Sequence, residues 1–235
     1  PMPRADKARA IAARFTATQM SRAFCVSCYA RRRSMKPVAI LEDPAVTPLP
    51  TYTAADVRRA LEKDGRRWIN ITLDDLASLD RADADVLVLP YRDGEMGGAP
   101  LEGLIRFHEQ GGGLLFLGDT PHAGRSYPYC NSQGTELRLT RARDPLTIRG
   151  LTPLGRELLG ELLEFDKMLG REVVGVRVSA FAPDECHNLL VCDAGFKKLS
   201  PVVFIERRHP RFLGAKAAVV GFDGGEPREN IAGVC

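Results

Sequence analysis

Three short stretches of this chain carry side chains whose types and spacing could do chemistry. Asp119, Thr120 and His122 come directly after an apolar run, Leu114-Leu115-Phe116-Leu117, and Gly118. An aspartate and a histidine this close on a loop could form an acid/base pair or bind a sugar hydroxyl. The plainer alternative is that Asp119 caps the following turn and His122 faces solvent. Asp93 and Glu95 follow a second apolar run, Val86-Leu87-Val88-Leu89-Pro90. Two carboxylates there could hold a polyol or a cation, or stand solvated. Tyr91, Tyr127 and Tyr129 could stack an apolar ring face on a sugar, or lie buried. Ligand contacts are therefore expected at Tyr91, Asp93, Glu95, Asp119 and Thr120. The candidates for catalysis are Asp119, His122 and, further along, His209.

Other reactive types are less well placed. Cys25-Val26-Ser27-Cys28 has the spacing of half a zinc site or a redox pair. A zinc site needs a second pair, and Cys186-His187 with Cys192 lacks the usual spacing, so no metal site is expected. Adjacent Cys186 and His187 would point to opposite sides of a strand and could not act together. Cys130 could meet His187 or His209 only through the tertiary fold. His108 reads as a surface residue near the end of a helix. The triplet Gly111-Gly112-Gly113 precedes a strand, whereas a phosphate loop follows one and opens a helix. It reads as a helix cap and turn, and no cofactor motif is found.

Composition bounds the rest. The chain has 235 residues, 44% hydrophobic and 27% charged, enough for one large α/β domain. The net charge of +3 is nearly balanced, which argues against a nucleic-acid surface. The dense basic runs, Arg31-Arg32-Arg33 and Arg207-Arg208, read as solvated surface. No apolar run approaches the roughly 18 residues a membrane helix needs. The sequence begins at a proline and ends at a cysteine after an apolar tripeptide. It is therefore read as a piece of a longer protein, cytoplasmic or secreted with its parent. Residues 1–36 read as a leader or linker, and residues 37–235 as the domain.

The two acidic stretches are brought together by the unit over residues 85–120. An apolar run, a helical segment, three glycines and a second apolar run give strand, crossover helix, strand. A crossover of that length joins parallel neighbours. Ligands of open α/β sheets sit outside the carboxyl ends of the strands, which places residues 91–95 and 119–124 at the mouth. Upstream, Pro37-Val38-Ala39-Ile40-Leu41 reads as the first strand, followed by a loop with Pro44, Pro48 and Pro50 that excludes helix. Thr53-Ala54-Ala55-Asp56 has capping-box spacing, with Val57, Ala60 and Leu61 on the buried face and Gly65 at the end. Trp68-Ile69-Asn70-Ile71 alternates as a strand at the sheet edge, and residues 74–79 as a short helix. Downstream, residues 152–169 read as one helix with Thr152 as cap and Pro153 in first position. Strands are expected over residues 173–178, 201–205 and 215–222, with a turn over 208–214. The whole is an α/β, doubly wound, mostly parallel sheet with helices on both faces. A partly β excursion follows the central strand, over about residues 122–200.

The segments Asp83-Ala84-Asp85-Val86-Leu87-Val88-Leu89-Pro90-Tyr91 and Gly111-Gly112-Gly113-Leu114-Leu115-Phe116-Leu117-Gly118-Asp119-Thr120-Pro121 together resemble the class I glutamine-amidotransferase-like domain, a flavodoxin-like fold. The likeness is to the non-amidotransferase type associated with bacterial glycoside hydrolases. It covers about residues 37–121, and more loosely 202–222. Active members of that fold carry a cysteine at a strand-to-helix elbow and a downstream His-Pro-Glu. Here the elbow position reads Gly118-Asp119-Thr120-Pro121 without cysteine, and His209-Pro210-Arg211 replaces the glutamate with arginine. A carboxylate would stabilise an imidazolium, and an arginine repels it. The resemblance thus implies an accessory domain, not catalytic on its own, of a larger carbohydrate-active protein. Its expected partner is the catalytic domain of the same parent chain or a second copy, with carbohydrate a possible ligand. The alternative is a hydrolase or sugar-binding domain that uses the mouth around Asp119 and His122.

Overall fold

The computed structural model describes residues 36–48, 53–91, 96–118, 139–141, 146–159, 167–169, 174–177, 186–193, 199–200, 202–208, 210–212 and 214–220. The first strand, β1 (Val38–Leu41), is buried along its whole length. Thr53 then caps α1 (Ala54–Lys63). Its hydroxyl accepts from the Asp56 amide, and the Asp56 carboxylate accepts from the Thr53 amide. This is the reciprocal capping box that the T-x-x-D spacing predicts. Ala54, Val57 and Leu61 form its buried face. Next come β2 (Trp68–Ile71), an edge strand as expected, and α2 (Leu73–Leu76), opened by a second capping box between Thr72 and Asp75.

The central unit is β3 (Val86–Tyr91), α3 (Gly98–Glu109) and β4 (Gly113–Gly118). Its strands are parallel, in register from Val86 opposite Gly113 to Tyr91 opposite Gly118. The glycine triplet closes α3. Gly111 takes a left-handed φ of 88°, its amide donates to the His108 carbonyl (3.0 Å), and the Gly112 amide donates to the Phe107 carbonyl (2.9 Å). These two bonds are the Schellman motif, which satisfies carbonyls left open at a helix end.

Downstream come β5 (Leu139–Arg141), β6 (Leu146–Leu151), α4 (Pro153–Leu159), β7 (Lys167–Leu169), β8 (Val174–Arg177), β9 (Cys186–Asn188), β10 (Leu190–Asp193), β11 (Leu199–Ser200), β12 (Val202–Glu206) and β13 (Lys216–Val220). Thr152 caps α4 as expected, its hydroxyl accepting from the Gly155 amide at 3.0 Å. The single helix read over residues 152–169 is corrected. The helix described ends at Leu159, and Lys167–Leu169 pairs with β6 as a strand. An apolar face at helical spacing does not exclude a strand whose partner is supplied from elsewhere in the chain.

The main sheet has the order β2-β1-β3-β4-β13-β12-β9. β12 runs antiparallel to both neighbours, and the pairings among β2, β1, β3, β4 and β13 are parallel. This is the α/β, doubly wound, mostly parallel, flavodoxin-like sheet. Leu76, Leu101, Leu104 and Phe107, from α2 and α3, pack with Ala39, Leu41, Leu87, Leu89, Leu114 and Phe116 on one face. On this alternation Val38 and Ile40 belong to the opposite face, where α1 lies. The excursion is partly β: two three-stranded antiparallel sheets, β10-β6-β7 and β11-β8-β5. Its expected range also takes in β9, which instead extends the main sheet. No helix among the described residues is long and apolar enough to cross a membrane.

Candidate functional site

The strand order fixes where a ligand crevice should form. From β1 the chain moves outward to β2 and then returns to β3 on the other side, so the order reverses between β1 and β3. In doubly wound sheets that switch point, at the carboxyl edge, is the usual ligand crevice. Here the loop after β1 runs across the end of β3, and Pro48 forms an antiparallel bridge with Tyr91. Val46, half-buried in the same loop, packs against the core. Tyr91 has no exposed surface and belongs to that core, so neither of its ring faces is open to a sugar.

The acidic groups beside the crevice tie loops together. Asp43 accepts from the Leu73 amide (2.9 Å) and from the Ala45 amide (2.8 Å). These two amides, Leu73 foremost, hold its carboxyl below the usual value. Glu42 accepts from Arg58 and from the Asn70 side chain, both at 2.5 Å, and Arg58 lies over Trp68 at 5.5 Å. Asp75 is held low by the Thr72 amide and hydroxyl. Asp43 and Asp75 thus stabilise a loop and a helix start in their ionised form.

Of the residues singled out from sequence, Asp93, Glu95, Asp119, Thr120, His122 and His209 lie outside the described residues, as do Tyr127, Tyr129, Cys25, Cys28 and Cys130. The frame around them is described. Tyr91 and Gly118 are opposite each other on neighbouring parallel strands. β3 and β4 therefore end side by side at the carboxyl edge of the sheet. The neighbours of His209 do not share that edge. β13 is parallel to β4, with Ala217 opposite Leu114, so the β12–β13 hairpin turns where β4 begins. The length of β4, roughly 16 Å at 3.3 Å per residue, separates Arg208 and Pro210 from the elbow position. Cys186 and His187 are consecutive on β9, as expected.

That amino edge holds the buried polar groups that sequence reasoning missed. His108 was read as a surface residue, yet it is fully buried. Its Nδ1–H donates to the Gly112 carbonyl at 2.8 Å, and its ring lies 5.2 Å from that of Phe212. Burial lowers its pKa to about 4; the Gly112 bond opposes this shift, and the charge of Arg207 adds to it. Arg207, also read as solvated, is only 2% exposed, with its guanidinium 4.8 Å from the centre of the Phe212 ring. The physical reason is the short 3-10 turn Pro210–Phe212, which folds the hairpin back onto α3. Arg211 and Glu109 close the contact with an ion pair. A signal existed: Leu101, Leu104 and His108 stand at the three- and four-residue spacing of one buried helix face.

An open cleft of about 420 Å³ lies on this hairpin, lined by Glu206, Arg207, Arg208, Gly214, Ala215 and Lys216. Glu206 is 3.9 Å from His187 and 4.0 Å from Lys216. Among the described residues, no group of three or more His, Cys, Asp or Glu side chains could hold a metal ion.

No protein family and no curated protein matches this sequence. Among solved structures the chain is similar to the exo-β-1,4-mannosidase Op5Man5 from Opitutaceae bacterium strain TAV5, with 14% identity, TM-score 0.45, and coverage of 80% of this chain and 31% of that one. It is similar to the GH42 β-galactosidase Gan42B from G. stearothermophilus, with 14% identity, TM-score 0.49, and coverage of 81% and 28%. It is also similar to a putative ThuA-like protein from Parabacteroides merdae, with 12% identity, TM-score 0.42, and coverage of 80% and 79%. The chain thus spans under a third of the two glycosidases, and the likeness to all three is weak and of fold alone.

Proposed function

We propose that this chain is a non-catalytic, amidotransferase-like α/β domain of a larger bacterial carbohydrate-active protein, with a packing or assembly role. One observation carries the reading. β4 stands between β3 and β13 and ends at Gly118 on the carboxyl edge. The sequence continues there with Asp119-Thr120-Pro121, where active members of the resembling fold hold a cysteine nucleophile. Two further features support it. The chain's own loop crosses the switch point, and the acidic groups beside it are engaged in holding loops and helix starts. The described neighbours of His209, Arg208 and Pro210, lie at the opposite edge from the end of β4.

The test is to purify the full chain and assay it with aryl glycosides and with glutamine, alongside Asp119→Ala. No turnover is expected from either protein. Turnover that disappears in Asp119→Ala would overturn the reading in favour of a hydrolase acting at the mouth. Sedimentation of the purified chain, alone and with the catalytic domain of its parent, checks the assembly role.

A further inference from the structure

The β12–β13 ladder ends with Glu206 opposite Lys216, and the short turn Pro210–Phe212 lies beyond it. Arg208, Pro210, Arg211 and Gly214 around the turn are exposed, whereas Phe212 is 1% exposed. Phe212 is the described apolar anchor of the turn on α3, its ring 5.2 Å from that of His108. The Arg211–Glu109 ion pair adds a second tie. Its side chains are 55% and 31% exposed, and so exposed a pair contributes little. His108 has no exposed surface. Its Nδ1–H is committed to the Gly112 carbonyl, so an added proton must go to Nε2, which is buried as well.

We infer that this turn is an acid-sensitive latch on the amino edge: a proton on His108 releases Phe212 from α3 while the sheet stays folded. An imidazolium held under the closed turn is denied the water that stabilises its charge. The neighbouring charged groups do not replace that water. On α3, Arg106 donates to the Ala77 carbonyl and Glu109 pairs with Arg211. On the hairpin, the charge of Arg207 opposes protonation of His108. Moving the turn outward restores water to the ring. The sign follows from linkage. The closed form holds the His108 pKa at about 4, against about 6.5 in water. The stability of the closed latch is therefore fully present above about pH 6.5 and falls as pH drops towards 4. Between pH 7 and pH 5 the open population should rise about 20-fold. The latch stands apart from the function proposed above, which makes no use of His108.

The experiment is amide hydrogen exchange of the full chain by NMR at pH 7 and pH 5, corrected for the intrinsic pH dependence of exchange. The reporters are the Gly214 and Ala215 amides, which donate to the Arg207 and Phe212 carbonyls (3.1 and 2.9 Å), with Val88 in β3 as reference. At both pH values the two reporters should open at least tenfold more often than Val88, and at pH 5 about 20-fold more often than at pH 7. His108→Asn should reduce that rise to within twofold, and Glu109→Gln should keep at least a tenfold rise. Three results overturn the inference. Reporters that open only together with Val88 mean that the sheet unfolds as a whole. Reporters that open separately but without the rise mean that the opening does not uncover His108. A rise that survives in His108→Asn, or disappears in Glu109→Gln, assigns the acid response to another group. The unsubstituted chain decides the first two outcomes even where a variant fails to fold.

Discussion

At the carboxyl edge of the sheet, the described polar groups find partners within the β1-α1-β2-α2 region. Asp43 reaches Leu73, Glu42 reaches Asn70, and Thr53 and Thr72 close capping boxes three residues on. At the amino edge, beside local pairs such as Arg81 with Asp85, two contacts join segments distant in sequence. Glu109 meets Arg211 across 102 residues, and the His108 ring meets Phe212. The first edge is assembled from hydrogen bonds between exposed or half-buried groups, which contribute little each. The second is assembled by burying an aromatic ring against an imidazole and a guanidinium. The edge where chemistry is expected in this fold is thus tied down locally, and the opposite edge carries the strongly perturbed histidine and the described cleft.

The contrast predicts unequal costs. Phe212→Ala should be the most damaging change, since it empties a site that is 1% exposed and removes the ring that both His108 and Arg207 contact. A loss of about 3–5 kcal/mol is expected from a large-to-small core substitution, read as a shift in the urea midpoint. A loss below that of a cap substitution would mean that the hairpin is not anchored through this ring.

Acidification should act on the same place. Burial lowers the folded-state pKa of His108 to about 4, and the unfolded value is near 6.5. The folded state therefore favours neutral imidazole. The stability linked to His108 is fully present above about pH 6.5 and is lost as pH falls towards 4, amounting to about 3 kcal/mol. Denaturation curves at a series of pH values should show this fall. His108→Asn, whose amide can still donate to the Gly112 carbonyl, should lack the His108 part of it. An identical pH dependence in the two proteins would place the acid sensitivity elsewhere.

Changes at the carboxyl edge should matter less. Thr53→Ala removes one half of the capping box and should lower stability by about 1 kcal/mol, checked by thermal melting. Val46→Ser, in the loop that crosses the switch point, should cost only about 0.5 kcal/mol. Faster exchange of the amides around Tyr91 is expected to accompany it. A cost for Val46→Ser above that of Thr53→Ala would show that the crossing loop is an integral part of the core.

Most of the main sheet was legible in the sequence. The capping boxes, the glycine cap and the crossover unit are written in short-range patterns that act within a few residues. The apolar run from Leu114 to Leu117 needs no distant information to be read as a buried strand. The excursion was less legible. Lys167–Leu169 pairs with β6 and is a strand because of that partner. His108 and Arg207 were misplaced for a related reason. A polar residue reads as solvated until the segment that covers it is known, and here that segment is the turn around Phe212.

By itself, the sequence determined the parallel unit over residues 85–120, and that Asp119 rather than a cysteine follows its second strand. Local propensity and hydrophobic period suffice for this, because backbone hydrogen bonds and side-chain alternation repeat over short distances. Only the tertiary structure decided that the loop after β1 crosses the switch point, that Tyr91 is closed within the core, and that His108 is buried. Each depends on which distant segment lies against which, and no short window of sequence holds both partners.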